Sequence, residues 1–448
     1  MARKNKRRHL YGRKEFLFNF FSLIIVIGIG IYFGYRSLYY YSKQHMVKQG
    51  NNQTLSEVII NSNRLITDGD GFHKDHDGYY FKGNVVNNYV SFANRKYRII
   101  RINNDGSIKL ITDENVASFL WGDETSYSKS NVHHWLEKTE EENSGTYYET
   151  IPNITKFLVK TDYQENILKD EKVKKSDKTF SDYVTTLTID DYVTANGKNS
   201  YLNNGKIFYL LGLNADKNNL YIEDDGAVTD GDNLSGYGIR AVITLNKNVI
   251  NAFGDGSVDN PYTVQQGKDT NYVNTVVKLG EDNWKVYREE TDKLRLVKMD
   301  YIKENDQEVI HQFSKKTNTF DLEDKTNIAV YLNNNYLNSL SYKDLIVDNT
   351  YYTGETSTDT GYSYKNIYSN QVTCKVALLN VFDYNSNDFN DFFYMNTIQG
   401  VLQYVGFSSG LLEEAEITEE KHIVPVISID KNIIKDGKGT LTEPYTVG

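Results

Sequence analysis

The chain has 448 residues, 39% hydrophobic and 25% charged, with a formal net charge of −10, which is apolar content enough for two or three packed cores. Residues 1–48 carry ten Lys/Arg and one Glu, so residues 49–448 hold 40 bases against 59 acids, a net of −19. A body this acidic excludes a nucleic-acid partner, whose phosphates need a basic face, and a single cysteine, Cys374, excludes a disulfide within the chain.

Residues 16–35 carry no charge, and as a helix they span about 30 Å, the hydrocarbon thickness of a bilayer. The basic tail 1–15 precedes this run and fewer bases follow it, which places the N-terminus in the cytoplasm and the body outside the cell. Neither a small-residue cleavage site nor a lipobox cysteine follows, so the run is read as an uncleaved single-pass membrane helix rather than a signal peptide. Gly30 and Gly34 lie inside it at the spacing that lets two helices approach, and predict a homodimer contact.

Residues 36–83 read as a stalk and lead-in, with a short helix over 54–65. Residues 68–78, DGDGFHKDHDG, read as a loop. Its Asp68, Asp70, Asp75 and Asp77 are candidate oxygen ligands for calcium, with His73 and His76 suited to a softer metal. The stretch is not an EF-hand, because Phe72 occupies a ligand position and no Glu closes it.

A first module is expected over 84–264. Strands at 89–92 and 97–102 alternate in polarity, and Asp105-Gly106 turns the chain into a third at 107–112. Ser130 or Asn131 then caps a helix, VHHWLEKTEEE, on which His133 and Glu137 stand four apart, within reach of one metal. The stretch TLTIDDY (186–192) reads as a strand, and Asp224, Asp225, Asp230 and Asp232 mark an acidic turn.

A second module, 271–448, repeats the series. Its strands fall at 276–279, 284–288 and 294–299, Thr326 or Asn327 caps its helix, and LLNVFDY answers TLTIDDY. Asp191 and Asp383 therefore recur before a shared Tyr and are expected to cap a turn. Both modules close alike: GIRAVITLNKNVINAFGDGSVDNPYTV (238–264) matches HIVPVISIDKNIIKDGKGTLTEPYTV (422–447). Self-similarity in fixed order is the mark of duplication.

The run NNYVSFANRKYRII, the helix with Trp135-Leu136, TLTIDDY and GIRAVITL…GDGSVDNPYTV resemble a bacterial surface-domain family of unknown function. That family looks related to the C-type-lectin-like fold, which formylglycine-generating enzymes also use. The resemblance implies an α+β class: two tandem C-type-lectin-like modules of short antiparallel strands with one or two helices each, behind the transmembrane helix. It is weaker in the second module, where Val424 replaces Arg240. The enzymes of that fold use paired cysteines and copper, a pair that Cys374 alone does not supply, so no catalytic residue carries over.

The first functional reading is a membrane-anchored cell-surface protein with a non-catalytic role in binding, adhesion or envelope assembly. Its ligand would be a glycan, cell-wall component or protein, met by Tyr, Trp and Asn of the variable loops, with calcium the one cofactor considered. Two alternatives stand beside it. One is an envelope hydrolase using first-module carboxylates, and the other a structural partner of another membrane protein through the Gly30/Gly34 face.

Overall fold

A computed structural model describes residues 53–448, apart from 141–142, 171, 232, 234, 267–270, 356, 359–360, 363, 386–390, 399–400 and 406–411. Strand accounts for 39% and helix for 16%, so the class is mostly β and not α+β. Among the described residues no helix is long and apolar enough to cross a membrane, which removes the single-pass helix from the description of the fold. The run 16–35, with Gly30 and Gly34, lies outside the described residues.

The helices fall short of their sequence patterns for identifiable reasons. The one capped by Ser130 spans only Asn131–Leu136, because Glu137 turns to extended backbone and its carboxylate accepts the Val184 N–H at 2.8 Å. In TLTIDDY the strand stops at Thr186, and the Thr188 hydroxyl caps a helix, Ile189–Thr194, by accepting the Asp191 N–H. In the second half the helix begins at Ile328, capped by Asn327, but loosens into a π-helical turn over Tyr331–Tyr336.

The first half is built on a sheet of nine strands. The acidic stretch contributes the hairpin β1 (Gly71–Asp75) and β2 (Gly78–Lys82), so it is not a loop. Then come β3 (Tyr89–Phe92), β4 (Arg95–Asn103), β5 (Ile108–Thr112), β6 (Val184–Thr186), β7 (Ala241–Leu245), β8 (Asn251–Phe253) and β9 (Tyr262–Val264). Their order is β6-β7-β5-β4-β3-β9-β8, with β2 laid on the far end of β4. All five residues of β7 are buried, which marks a strand covered on both faces.

The second half is built on β10 (Val276–Leu279), β11 (Asp282–Glu289), β12 (Lys293–Lys298), β13 (Val376–Leu378) and β14 (Pro425–Asp430), in the order β10-β11-β12-β14-β13. Strand for strand this is the path β3-β4-β5-β7-β6. Both closing stretches then return to corresponding strands of their own half, β3 and β10. Tyr262 pairs parallel with Val90, and Tyr445 pairs parallel with Val277.

The shared Gly-rich turn has a steric cause. Gly254 and Gly437 have φ of 112° and 124°, and a Cβ on either would lie 2.1 or 2.3 Å from the carbonyl oxygen of Pro261 or Pro444. Only glycine permits both that dihedral and that approach.

Candidate functional site

The two halves pack together through aromatic side chains. Phe119 meets Phe382 at 4.5 Å between ring centroids, and the Trp135 indole N–H donates to the Phe382 carbonyl at 2.8 Å. His134 stacks on Tyr364 at 4.9 Å, and the Asn94 amide donates to the carbonyls of Asn271 and Val273. All three tryptophans, Trp121, Trp135 and Trp284, are buried, so the expected stacking surface contains no exposed Trp.

Beside this packing the halves leave a cleft of about 750 Å³. The β3–β4 turn and the residues after β5 form one wall, and β10, β11 and the closing loop at Lys438–Leu441 contribute the other. Arg95 and Tyr384, one from each half, both line it. The Arg95 guanidinium stands 4.8 Å from the Tyr147 ring and 4.4 Å from the Tyr384 ring, and its Nε donates to the Tyr384 hydroxyl at 2.8 Å. It is 5% exposed, and neither terminal nitrogen finds a hydrogen-bond partner.

The strand registers show what is unusual about Arg95. Arg95 pairs with Phe92 as Asp282 pairs with Leu279, and Thr112 pairs with Tyr97 as Lys298 pairs with Trp284. The hydroxyls of Tyr147 and Tyr342 are equivalent too, one bonded to Tyr97 and the other to Trp284. In the second half Asp282 accepts from both Lys298 and Tyr342, a closed arrangement. In the first half the same position holds a cation, the position of Lys298 holds Thr112, and among the described residues no carboxylate answers it.

The calcium candidates are already committed elsewhere. Both Asp75 oxygens accept from Arg101, at 2.6 and 2.8 Å, which holds the Asp75 carboxyl below its ordinary value. Asp70 accepts the Asn84 N–H at 3.0 Å, and Asp68 accepts the N–H of its neighbour Gly69 at 2.8 Å. Among the described residues only Asp75, His76 and Asp77 bring ligand atoms within 4.8 Å of one another, on an exposed hairpin turn. The four carboxylates do not gather around one point, and this donor set does not fit calcium.

His133 and Glu137 are joined by a residue that spacing did not reveal. His133 Nε2 lies 3.0 Å from Asp182, 49 residues on, which also accepts from Tyr163. Burial pushes the Glu137 carboxyl up to about 7, and the charge of Asp182 adds to the effect. Asp191 accepts from Thr188 and from Lys109, both at 2.7 Å, while Asp383 accepts the Asn380 N–H at 2.9 Å. Each closes its own turn. Of the acidic turn, Asp225 accepts the Ala227 N–H, Asp230 accepts from Asn218, and Asp232 lies outside the described residues.

Arg95, Tyr384 and the cleft were not legible as a site, because their partners lie 289 residues apart. The available signal was the mismatch between copies, Arg95 against Asp282. No family model, characterised protein or solved structure matches the chain.

Proposed function

We propose that this protein is a binding protein, and that its ligand lies in the cleft between the two halves. The observation that carries the reading is the cleft itself, about 750 Å³ with walls from both halves. That volume falls in the range of small-molecule and oligomer sites. Its lining mixes apolar surface with polar side chains, among them Ser91, Asn94, Asn115 and Thr440. Such a wall suits a glycan, a cell-wall fragment or a peptide with many hydrogen-bonding groups.

The test is calorimetric titration of the full chain with oligosaccharides, cell-wall fragments and peptides, repeated on Thr440→Trp. Thr440 is exposed on the closing loop and lines the cleft, so an indole there fills the site without entering a core. Saturable binding that Thr440→Trp abolishes supports the reading. Saturable binding that ignores the indole places the ligand elsewhere and refutes it.

A further inference from the structure

We infer that the ligand of the cleft is an anionic glycan, bearing carboxylate or phosphate groups along a hydroxyl-rich chain. The inference rests on the cleft being the binding site and adds the charge of what enters it.

Six charged residues line the cleft: Arg95, Lys96, Lys285 and Lys438 against Asp113 and Glu114. In a body whose net charge is −19, this wall has twice as many bases as acids. The two acids are, moreover, already paired behind it. Asp113 lies 3.8 Å from Arg98, and Glu114 lies 2.9 Å from Lys206. Arg240 stands close by, fully buried, giving its Nε to the Thr112 carbonyl and its Nη1 to the Leu202 carbonyl, with Nη2 unpartnered. Arg98 and Arg240 thus both draw on Asp113, Arg240 draws on Glu114 as well, and among the described residues no carboxylate pairs with Arg95.

The arrangement produces a positive potential where the overall charge favours a negative one. Low-dielectric walls concentrate such a field inside a cleft. Arg95 itself is sealed beneath the surface between two tyrosine rings, so it acts through its field rather than by contact. Lys96 and Lys438 are exposed and supply the contacts; among the described residues Lys96 makes no ion pair, and Lys438 is shared with Glu443 at 2.7 Å. The hydroxyls of Ser91 and Thr440 and the amide oxygens between them match sugar hydroxyls, while the amide N–H groups of Asn94, Asn115 and Asn274 are already given to carbonyls. A glycan is favoured over an acidic peptide on that ground.

The experiment measures binding of the full chain to an oligogalacturonate and to a glycerol-phosphate oligomer, each beside a neutral galactose oligomer of equal length. Either anionic ligand should bind about tenfold or more tighter than the neutral one at low salt, and lose that advantage near 1 M salt. The two arms show whether carboxylate or phosphate is preferred. Lys96→Glu with Lys438→Glu should weaken anionic binding by about tenfold or more and remove most of its salt dependence. Arg95→Met, checked for folding by circular dichroism, should weaken anionic binding by about threefold or more. If neutral and anionic oligomers bind equally and Thr440→Trp abolishes both, the cleft stands and the charge inference falls. If an acidic peptide outbinds both glycans, the assignment to glycan falls. Absence of binding by every probe, or anionic binding that ignores Thr440→Trp and the lysine reversals, overturns the inference and the cleft together.

Discussion

Replacing Glu137 by Gln removes a buried carboxylate while keeping an acceptor for the Val184 N–H that Glu137 now takes at 2.8 Å. The side chain is 4% exposed, and burial moves its carboxyl from 4.5 to about 7, against the backbone hydrogen bond from Val184. Asp182 reinforces the upward shift and Lys160 opposes it. The folded-state value lies above the unfolded one, so the native state holds the proton more tightly between those limits. Stability is therefore greatest below 4.5, declines as pH rises toward 7, and levels off above. At 1.36 kcal/mol per pH unit the whole displacement is worth at most about 3 kcal/mol, of which about 2 kcal/mol falls between pH 5.5 and 8. Urea unfolding at both pH values, on the natural chain and on Glu137→Gln, isolates this contribution from every other titration. The difference in stability between the two proteins should shift by about 2 kcal/mol in favour of Glu137→Gln on going to pH 8. Parallel stability-versus-pH curves would show that Glu137 is ionised at ordinary acidity and that the argument from burial is wrong.

Three further outcomes follow from the geometry. Gly254→Ala and Gly437→Ala should each cost about 3 kcal/mol or more in urea unfolding, since the new Cβ meets a carbonyl oxygen. Gly205→Ala, also at positive φ but with nothing within 4 Å of a Cβ, should cost only about 1 kcal/mol; equal losses at all three sites would contradict the steric account. Burial pushes the Cys374 thiol up to about 12, so Ellman's reagent should label it only after denaturation, and rapid labelling of the native protein at pH 8 would contradict its packing. Installing the second half's pair in the first, Arg95→Asp with Thr112→Lys, should show a favourable coupling of about 1–2 kcal/mol in a double-mutant cycle. Zero coupling would mean that the two sheets are not equivalent at those positions.

Local signals in the chain were readable, and distant ones were not. Asp105-Gly106 turns a hairpin between β4 and β5, and the repeated Pro-Tyr-Thr-Val returns to its own sheet in both halves, as a strand in the first and by an isolated bridge in the second. These features depend on neighbours in sequence or on glycine's dihedral freedom. The helices were over-read because periodicity cannot see a competing tertiary bond. Nothing in VHHWLEKTEEE announces that Glu137 will leave the helix for the Val184 N–H, or that Thr188 will cap a helix inside TLTIDDY. The acidic stretch 68–78 misled for a related reason. Its spacing resembles a ligand loop, but the hairpin begins at Gly71 and leaves Asp68 and Asp70 before it, and Arg101 on β4 claims Asp75. Arg95 and Tyr384 meet only because the two halves pack.

The two halves share a frame but place charge in it differently, and the difference bears on function. A buried cation without a carboxylate destabilises the fold, and apolar replacements of equal volume are often neutral or better. In the second half the corresponding position carries a closed pair, Asp282 with Lys298 and Tyr342, so this frame accommodates a compensated arrangement. If Arg95 served only to hold the halves together, its stacking on Tyr147 and Tyr384 would be met as well by an apolar side chain that fills the same slot. What such a side chain lacks is charge. The field that this charge projects into the cleft is the role we propose for Arg95. The two explanations separate in the affinity of Arg95→Met: a rivet predicts unchanged binding of anions, and a charge source predicts weakened, less salt-sensitive binding.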